Sequence, residues 1–342
     1  MPFLAVLLLI PVFALISWLV NRLLLQKIGR HGMEKPLQPA HLRWSAGAKP
    51  LTGGLGMAIS LLPAVIFFMS QQTEIPVWQM FALSGFLLTA TLTGWIDDLW
   101  HLNPPAKLLG QFIAAGIACL GGWDLHWFGL QIPDLLLSLL LIMGLLNSLN
   151  MLDNIDGVTA MSAFALCAAA VLGASFSISW IGIILAFMGV LMGFLHLNLY
   201  PSRIFMGDAG SHLLGAMVFL IIRLQWASAT PDLAGTCILV YGMAFIPLTD
   251  TLVVTGSRLL RKKSPFIGGK DHLTHMLVYS GIRQSALPWI LGLIHFFAAL
   301  LVISSDLSRS AQLLVLTLLL SGFIWMYYRT WKRRLVPENQ LP

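Results

Sequence analysis

Apolar segments of about twenty residues recur along the whole chain and alternate with short polar segments. Eleven apolar runs can be marked, at residues 3–25, 52–70, 78–96, 105–122, 132–150, 158–174, 178–199, 209–226, 234–256, 284–304 and 309–329. A helix needs about 20 apolar residues to cross a bilayer, and helices satisfy their own backbone hydrogen bonds in lipid. The pattern therefore predicts an all-α polytopic membrane protein with about eleven transmembrane helices in one domain, residues 1–342.

Composition supports this prediction. Hydrophobic residues make up 58% of the chain and charged residues only 10%, whereas a soluble domain has about 25% charged residues. The first run has no basic residue before it and no small-residue cleavage site, so we expect a retained helix rather than a signal peptide. The net charge of +6 is explained by basic loops at a membrane surface, and no nucleic-acid binding is expected.

The basic residues are distributed unevenly between the two sides of the membrane. They concentrate in the first connection, in the connection after the ninth run and in the tail, with Lys27, Arg30, Lys35, Arg43, Lys49, Arg258, Arg261, Lys262, Lys263, Lys270, Arg283, Lys332, Arg333 and Arg334. The alternate connections at 71–77, 123–131, 175–177, 227–233 and 305–308 contain no Lys or Arg. By the positive-inside rule, the N-terminus is predicted outside and the C-terminus in the cytoplasm.

Chemistry-bearing polar groups concentrate on the predicted cytoplasmic face. They are Asp97, Asp98, Lys107, Asp153, Asp156, Arg203, Asp208, Asp271, His272 and His275. Transporters place such groups near the bilayer midplane on broken helices. The one-sided distribution favours an enzyme with a cytoplasmic active-site cleft over a carrier, and a non-catalytic scaffold would leave the acidic cluster unexplained.

A run of Asn and Asp residues follows the fifth apolar segment. Asn147, Asn150 and Asp153 are spaced by three, which places them near one face of a helix end. Asp156 then falls in a turn that Gly157 permits. Polar groups at this depth usually face a wet cavity or a partner, although a helix cap followed by a solvated turn would give the same pattern.

Two more acidic sites lie at predicted helix ends. Asp97 and Asp98 close the third run, with Lys107 following, and adjacent carboxylates repel unless a cation or proton relieves them. Asp208 precedes the eighth helix between two glycines and offers the hard oxygen ligand that Mg²⁺ prefers. The alternatives are two solvated loop aspartates and an N-cap aspartate.

Basic and glycine-rich segments complete the candidate chemistry. Lys49 and the glycines at 53–56 can present a cation and backbone N–H groups to phosphate, or they form a turn into a closely packed helix. The connection 257–283 carries three consecutive cations that suit anionic lipid heads or a phosphorylated substrate. Its His272 and His275 fit contacts to a diphosphate better than a zinc site.

Four of these stretches, in this order, resemble the polyprenyl-phosphate N-acetylhexosamine-1-phosphate transferases. The stretches are Asp97-Asp98, Asn147-x-x-Asn150-x-x-Asp153-x-x-Asp156-Gly157, Asn198-x-x-Pro201-x-x-x-Phe205-Met206-Gly207-Asp208-x-Gly210-Ser211, and Ser264-Pro265-Phe266 leading to His272-x-x-His275. The resemblance spans about residues 49–276. It implies a fold of ten or eleven helices in the bacterial cytoplasmic membrane, with the active site on the cytoplasmic face, and it suggests a homodimer.

The resemblance also implies a reaction. The phosphate of undecaprenyl phosphate attacks the β-phosphorus of a UDP-N-acetylhexosamine, UMP leaves, and a lipid-diphosphate sugar forms with Mg²⁺ or Mn²⁺ required. Phosphoryl transfer depends mostly on positioning and charge neutralisation. At neutral pH the lipid phosphate is already largely ionised, so the Asp97-Asp98 pair is expected to orient it and organise the metal rather than to act as a base.

Roles follow from the same resemblance, motif position by motif position. Asn150 and Asp208 are expected to bind the metal, and Asp97, Asp98, Lys107 and Asp153 form the expected catalytic set. The expected substrate-binding residues are Lys49, Asn147, Asp156, Asn198, Arg203, Phe205, His272 and His275. Phe205 is expected to stack on uracil, which Asp156 contacts, and Lys49 and Lys107 are expected to contact phosphate.

The sequence departs from the superfamily pattern at two positions. Many members have His-x-His-His in the loop, where this chain has Thr274 in place of the middle histidine. Asn154 replaces the glycine that usually follows the first aspartate of Asp-Gly-x-Asp-Gly. The segment 267–272 is similar to the branch that starts O-antigen in lipopolysaccharide with N-acetylglucosamine, N-acetylfucosamine or N-acetylquinovosamine.

The alternative hypothesis is a carrier or flippase for a nucleotide-sugar or a lipid-linked sugar.

Overall fold

The computed structural model describes residues 6–28, 49–173, 176–229, 231–264, 269–304 and 307–335. These residues form thirteen α-helices. In chain order they are α1 (Leu9–Ile28), α2 (Gly53–Ser70), α3 (Val77–Trp100), α4 (Pro104–Ala118), α5 (Gln131–Leu152), α6 (Val158–Gly173), α7 (Ile178–Asn198), α8 (Gly207–Ala229), α9 (Leu233–Met243), α10 (Phe245–Leu260), α11 (Leu273–Tyr279), α12 (Leu287–Ile303) and α13 (Arg309–Leu335). The prediction of an all-α polytopic protein is confirmed.

Each predicted apolar run corresponds to a helix or a helix pair. In the described part of the chain, nine helices are long and apolar enough to cross a membrane, or ten if the bent pair α9–α10 counts as one span. The sixth predicted run is the helix α6, which is apolar but has only 16 residues. The orientation across the membrane and the single-domain organisation stay predictions.

Helices α7 and α8 form the centre of the bundle. About 83% of the α7 span and 72% of the α8 span are buried, against 11% for α1 and 22% for α13. A helix that is apolar on all sides is normally buried in protein or in lipid, so the peripheral helices are the ones with faces available to lipid. The amino-terminal ends of α2 and α8 and the carboxyl-terminal end of α3 meet at one end of this centre.

The ninth predicted run is not one straight helix, because α9 and α10 meet at an angle of 91°. Pro247 lies in the first turn of α10 and has no N–H to donate to the carbonyl of Met243. That carbonyl instead accepts a hydrogen bond from His295 Nε2 of α12 at 2.9 Å. Since Nε2 must then carry the hydrogen, Nδ1 accepts from the hydroxyl of Ser162 at 2.5 Å.

Candidate active site

Lys107 contacts two acidic residues, Asp97 of the predicted catalytic set and Asp208, a predicted metal ligand. It lies in the first turn of α4. Its ammonium group contacts Asp97 Oδ2 at 2.9 Å and also the carboxylate of Asp208. The Asp97 side chain is only 15% exposed, and its other oxygen accepts a hydrogen bond from the N–H of Leu102. The alternative of a freely solvated aspartate is therefore wrong for Asp97, whose carboxylate is paired with Lys107.

Asp98 anchors the amino-terminal end of α8. Its two carboxylate oxygens accept hydrogen bonds from the backbone N–H groups of Asp208 at 2.8 Å and Ala209 at 3.0 Å. A carboxylate is favourable at this end of a helix. Asp98 thus occupies the capping position that was considered for Asp208, which leaves the Asp208 side chain directed at Lys107. Glycine at position 94 permits this approach, since an added Cβ would lie 2.1 Å from the Asp208 carbonyl oxygen.

The asparagines at the end of α5 contact the helices on either side. Asn150 Nδ2 donates to Ser211 Oγ of α8 at 3.0 Å. Asn147 Nδ2 donates to Gln111 Oε1 and to the carbonyl of Met143, and Asn147 Oδ1 accepts from Gln111 Nε2. Asn147 is therefore engaged in a reciprocal amide pair with α4, and its predicted contact with substrate stays a prediction.

Gln111 and His212 form a buried polar layer one helical turn farther along α4 and α8 than the Lys107 ion pairs. Gln111 follows Lys107 by one helical turn, and His212 follows Asp208 by one turn. Gln111 Nε2 lies 3.0 Å from His212 Nε2, and both residues are fully buried. The layer ties α4, α5 and α8 together one turn away from the predicted catalytic residues. Neither residue was predicted from the sequence, although the four-residue spacing was a usable signal.

A second cationic cluster forms around Lys49. Its ammonium group donates to Ser202 Oγ at 2.7 Å, lies 3.7 Å from Asp156 Oδ2, and sits 4.9 Å from the centre of the Phe205 ring. Asp156 Oδ2 also accepts a hydrogen bond from the N–H of Ser202. Three residues predicted to contact the nucleotide therefore lie together: a cation, an aromatic face and a carboxylate.

The backbone around the glycines at 53 and 54 forms a packed turn. The N–H groups of Gly53 and Gly54 donate to the carbonyl oxygens of Phe205 and Met206 at 3.1 and 2.9 Å. The N–H of Phe205 donates in turn to the carbonyl of Pro50. Because these amides have partners within the chain, the closely packed turn is the alternative that the structure supports. Lys49 remains the group of this segment that can contact phosphate.

Asn198 and Gly157 connect the loops after α5 and α7. Asn198 Oδ1 accepts from the N–H of Gly157, which has the positive φ of 78° expected for the turn, and Asn198 Nδ2 donates to the carbonyl of Ile204. Asn198 is 3% exposed, so its amide holds this junction. Arg203 is exposed at the junction. The predicted substrate contacts of Asn198 and Arg203 stay predictions.

Asp153 lies one residue beyond the end of α5, on the loop that carries Asp156. Burial raises the pKa of Asp153 to about 7, and the charges of Asp208 and Asp156 act in the same direction. A carboxyl group with such a pKa exchanges a proton near neutral pH. Its predicted place in the catalytic set stays a prediction.

His272 and His275 are buried at the start of α11. Asp250 of α10 binds this segment through both oxygens, with His272 Nδ1 at 2.9 Å and the N–H of Leu273 at 2.7 Å. The ring centres of His272 and His275 are 5.6 Å apart, and the ring planes are inclined at 63°. Asp250 is fully buried, so α10 anchors His272 and the start of α11, the helix that carries His275.

Asp271 binds the same segment to Arg258, in the last turn of α10, and to Arg261, which directly follows α10. Arg258 binds Asp271 through two nitrogens at 3.0 and 2.6 Å, and Arg261 adds a contact at 3.1 Å. Burial alone would raise the pKa of Asp271, but the bonds and charge of Arg258 hold it at about 2. One of the three consecutive cations is thus paired, whereas Lys262 and Lys263 are exposed. Pro265 and Phe266 of the predicted motif lie outside the described residues.

The residues proposed to bind a metal fit a magnesium ion by their chemistry. Within the described ranges, no three carboxylate, imidazole or thiolate groups converge in a preformed metal site. Mg²⁺ is usually bound by one or two carboxylates together with substrate phosphates and waters. Asp208 and Asn150 provide oxygen ligands of that type, and the Lys107 ammonium group beside Asp208 shows that positive charge is stabilised at this place.

Comparisons with known proteins are consistent with this arrangement. Residues 78–225 match the model of glycosyl transferase family 4. The chain is 27% identical over 272 residues to the decaprenyl-phosphate N-acetylglucosaminephosphotransferase of Mycobacterium leprae, covering 68% of this chain and 67% of the relative. It is 26% identical over 308 residues to the probable undecaprenyl-phosphate N-acetylglucosaminyl 1-phosphate transferase of Bacillus subtilis, covering 84% and 82%.

A relative with a different sugar is similarly close. The phospho-N-acetylmuramoyl-pentapeptide-transferase of Oceanobacillus iheyensis is 27% identical over 278 residues, covering 72% of this chain and 81% of the relative. The matches agree on the kind of reaction and differ in the sugar.

Proposed function

We infer that the chain belongs to the superfamily of polyprenyl-phosphate N-acetylhexosamine-1-phosphate transferases, and from this premise we propose that it uses a UDP-N-acetylhexosamine and undecaprenyl phosphate. A lipid phosphate oxygen bonds to the β-phosphorus, and the bond between that phosphorus and the bridging oxygen breaks. UMP leaves with the bridging oxygen, and the product is undecaprenyl-diphospho-N-acetylhexosamine.

The convergence of Asp97, Lys107 and Asp208 carries this proposal. The three side chains come from α3, α4 and α8 and meet at the helix ends, where Asp98 fixes the start of α8. Two anionic phosphates must approach one another in this reaction, and positioned cations lower that barrier. Lys107 is one such cation, and Asp97 is placed to orient it.

The Lys49 cluster is the proposed nucleotide end of the site. Phe205 offers the face on which uracil stacks, Asp156 a carboxylate for the base, and Lys49 a cation for phosphate. In this proposal His272 and His275 lie towards the diphosphate and sugar. Asn147, Asn198 and Arg203 complete the proposed substrate-binding set.

Mg²⁺ or Mn²⁺ is the proposed cofactor, with Asp208 and Asn150 as its protein ligands. The bound ion would neutralise charge on the diphosphate. Ser211 orients the Asn150 amide through the hydrogen bond at 3.0 Å, and the cap formed by Asp98 fixes the backbone that carries Asp208.

The proposed sugar is N-acetylglucosamine, or N-acetylfucosamine or N-acetylquinovosamine. The names of the Mycobacterium leprae and Bacillus subtilis relatives support N-acetylglucosamine. We place the protein in the bacterial cytoplasmic membrane, with the site on the cytoplasmic face, as an enzyme that starts O-antigen or a related cell-surface polysaccharide. A homodimer is part of this proposal.

UMP release by the purified protein tests the function. Undecaprenyl phosphate and Mg²⁺ are combined with UDP-GlcNAc, UDP-GalNAc, UDP-FucNAc, UDP-QuiNAc or UDP-MurNAc-pentapeptide. Release with one or two donors that stops on chelation is expected. A folded protein that releases no UMP with any of them would contradict the proposed donor set.

One observation favours the second candidate, a carrier for a nucleotide-sugar or lipid-linked sugar. Carriers use broken helices, and α9–α10 is such a break with the buried Asp250 beyond it. That carboxylate is bound on both oxygens by the segment 272–273, as in an anchor for the histidines. Flux of labelled donor into proteoliposomes without UMP formation would support the carrier instead.

A further inference from the structure

A partly buried hydrogen bond joins the loop after α5 to the helix α11. Thr274 Oγ1 donates to Asn154 Oδ1 at 2.5 Å, across 120 positions of the chain. Thr274 is fully buried. A buried hydroxyl that loses its partner is costly, so the bond constrains the distance between the two segments.

Asn154 is held in the orientation that this bond requires. Its Nδ2 donates to the carbonyl of Met151 at 2.8 Å, and its backbone N–H donates to the carbonyl of Leu152. The side-chain amide is therefore fixed on the end of α5, and the oxygen that remains points at Thr274.

The bond lies between two groups of proposed functional residues. Asn154 follows Asp153 directly and precedes Asp156 by two positions, whereas Thr274 lies between His272 and His275. The histidine segment is bound on its other side by Asp250 of α10. The Asn154–Thr274 bond thus sets how far the acidic loop stands from the two imidazoles.

The two partners are also the two positions at which the sequence departs from the superfamily pattern. A glycine at 154 would offer no side-chain acceptor, and an imidazole at 274 would fill a larger volume. The two residues of this chain contact each other directly.

We propose that Asn154 and Thr274 form one positioning unit that holds the acidic loop and the histidine segment at the spacing required by the UDP-sugar donor. The proposal deepens the transferase function and rests on it for the activity measurement. It assigns the pair no contact with the reacting atoms and no influence on binding of the lipid phosphate.

A double-mutant cycle with a conservative rescue tests the unit. Thr274→Val removes the hydroxyl at nearly constant volume, and kcat/KM for the donor is expected to fall about tenfold, the value of one buried hydrogen bond. Asn154→Ala is expected to cost about the same, and the double variant no more than either single one. Thr274→Ser keeps the donor group and is expected to stay within about twofold of the parent. KM for undecaprenyl phosphate is expected to stay unchanged.

Thr236→Val is the matched control. Thr236 is also fully buried and hydrogen-bonded, but it lies on α9 and accepts from Trp226 Nε1 at 3.2 Å. The positioning unit would be overturned by additive losses in the double variant, by full activity in Thr274→Val, or by an equal loss in Thr236→Val.

Titration with UMP in the absence of lipid separates this proposal from the transferase function. If the parent protein binds UMP but transfers no sugar, the transferase proposal fails. In that case, weaker UMP binding in Thr274→Val but not in Thr274→Ser would still support the positioning unit. Unchanged binding in both variants overturns it. A folded parent protein that does not bind UMP overturns both.

Discussion

Asp208 is the residue on which the catalytic arrangement depends most directly. Its carboxylate contacts Lys107, and its backbone N–H is held by Asp98. Asp208→Asn removes the negative charge while leaving the backbone cap intact. We expect turnover to fall about 10²–10³-fold, as when one preorganised electrostatic group is lost at a phosphoryl or acyl centre.

The control for this substitution is Asp232→Asn. Asp232 is likewise an aspartate at the start of a helix, where it accepts from the backbone N–H of Gly235, but it pairs with Arg309 on the exposed surface. Turnover and the thermal unfolding midpoint are measured for both variants. Full activity of Asp208→Asn would refute the assignment.

A variant of Lys49 tests the proposed nucleotide end of the site separately from Asp208. Lys49→Ala removes the cation beside Asp156 and Phe205, and we expect KM for the UDP-sugar to rise about tenfold, the value of one charge-assisted hydrogen bond. KM for the lipid phosphate should not change. Lys263→Ala, at an exposed position, is the control, and an equal rise in that variant would show a nonspecific effect of charge.

Asp153 predicts a pH dependence of stability. Its folded pKa of about 7 is above the unfolded value of about 3.9, so between these pH values the folded state binds more protons. Stability contributed by this group therefore falls as the pH rises from about 4 to about 7. We measure the thermal unfolding midpoint in detergent with chelator. As the pH increases over this range, the midpoint of Asp153→Asn is expected to rise relative to that of the parent protein. A constant difference would contradict the shifted pKa.

The candidate site residues could be predicted individually, but their pairings could not. Asp97, Asp153 and Asp208 stand out because polar groups are rare beside apolar helices. The contact of Asp98 with the amides of α8 spans 110 positions, and that of Thr274 with Asn154 spans 120. No local spacing indicates such partners. The amide pair of Asn147 with Gln111 likewise joins two helices and is not indicated by local spacing.

At the scale of elements, the helix positions follow the apolar pattern and the break between α9 and α10 does not. Pro247 is visible in the sequence, but Pro63 also lies inside an apolar run and α2 continues through it. At the break, His295 supplies a hydrogen-bond donor to the carbonyl of Met243 from a helix 52 positions away in the chain. No local spacing indicates this partner, and the apolar pattern alone does not distinguish Pro247 from Pro63.

His295 is expected to stabilise the break. His295→Leu leaves the buried carbonyl of Met243 and the hydroxyl of Ser162 without this partner, which should cost about 1–3 kcal/mol for each group left unsatisfied. His295→Gln keeps an N–H donor and should lose less. The thermal unfolding midpoint of both variants is measured in detergent. Equal midpoints for His295→Leu and the parent protein would show that the contact is dispensable.

At the scale of the whole molecule, the predicted orientation can be tested by labelling. Glu74 and Lys263 are both exposed and lie on opposite predicted sides. In a background carrying Cys237→Ser, because Cys237 is exposed, we expect a membrane-impermeant maleimide added to intact spheroplasts to label Glu74→Cys. Lys263→Cys should be labelled only after the membrane is opened. The reverse pattern would invert the orientation.

The site groups lie where α3, α5 and α7 end and where α4 and α8 begin, so they meet at one end of the bundle. In the proposed reaction, both the lipid phosphate and the lipid-linked product therefore contact the protein in the same leaflet. The protein need not open alternately to the two sides, as a carrier must. The energy of the sugar nucleotide is conserved in the diphosphate bond but none of it moves the sugar across the membrane, so a separate protein has to carry out that movement before the sugar can appear on the opposite surface.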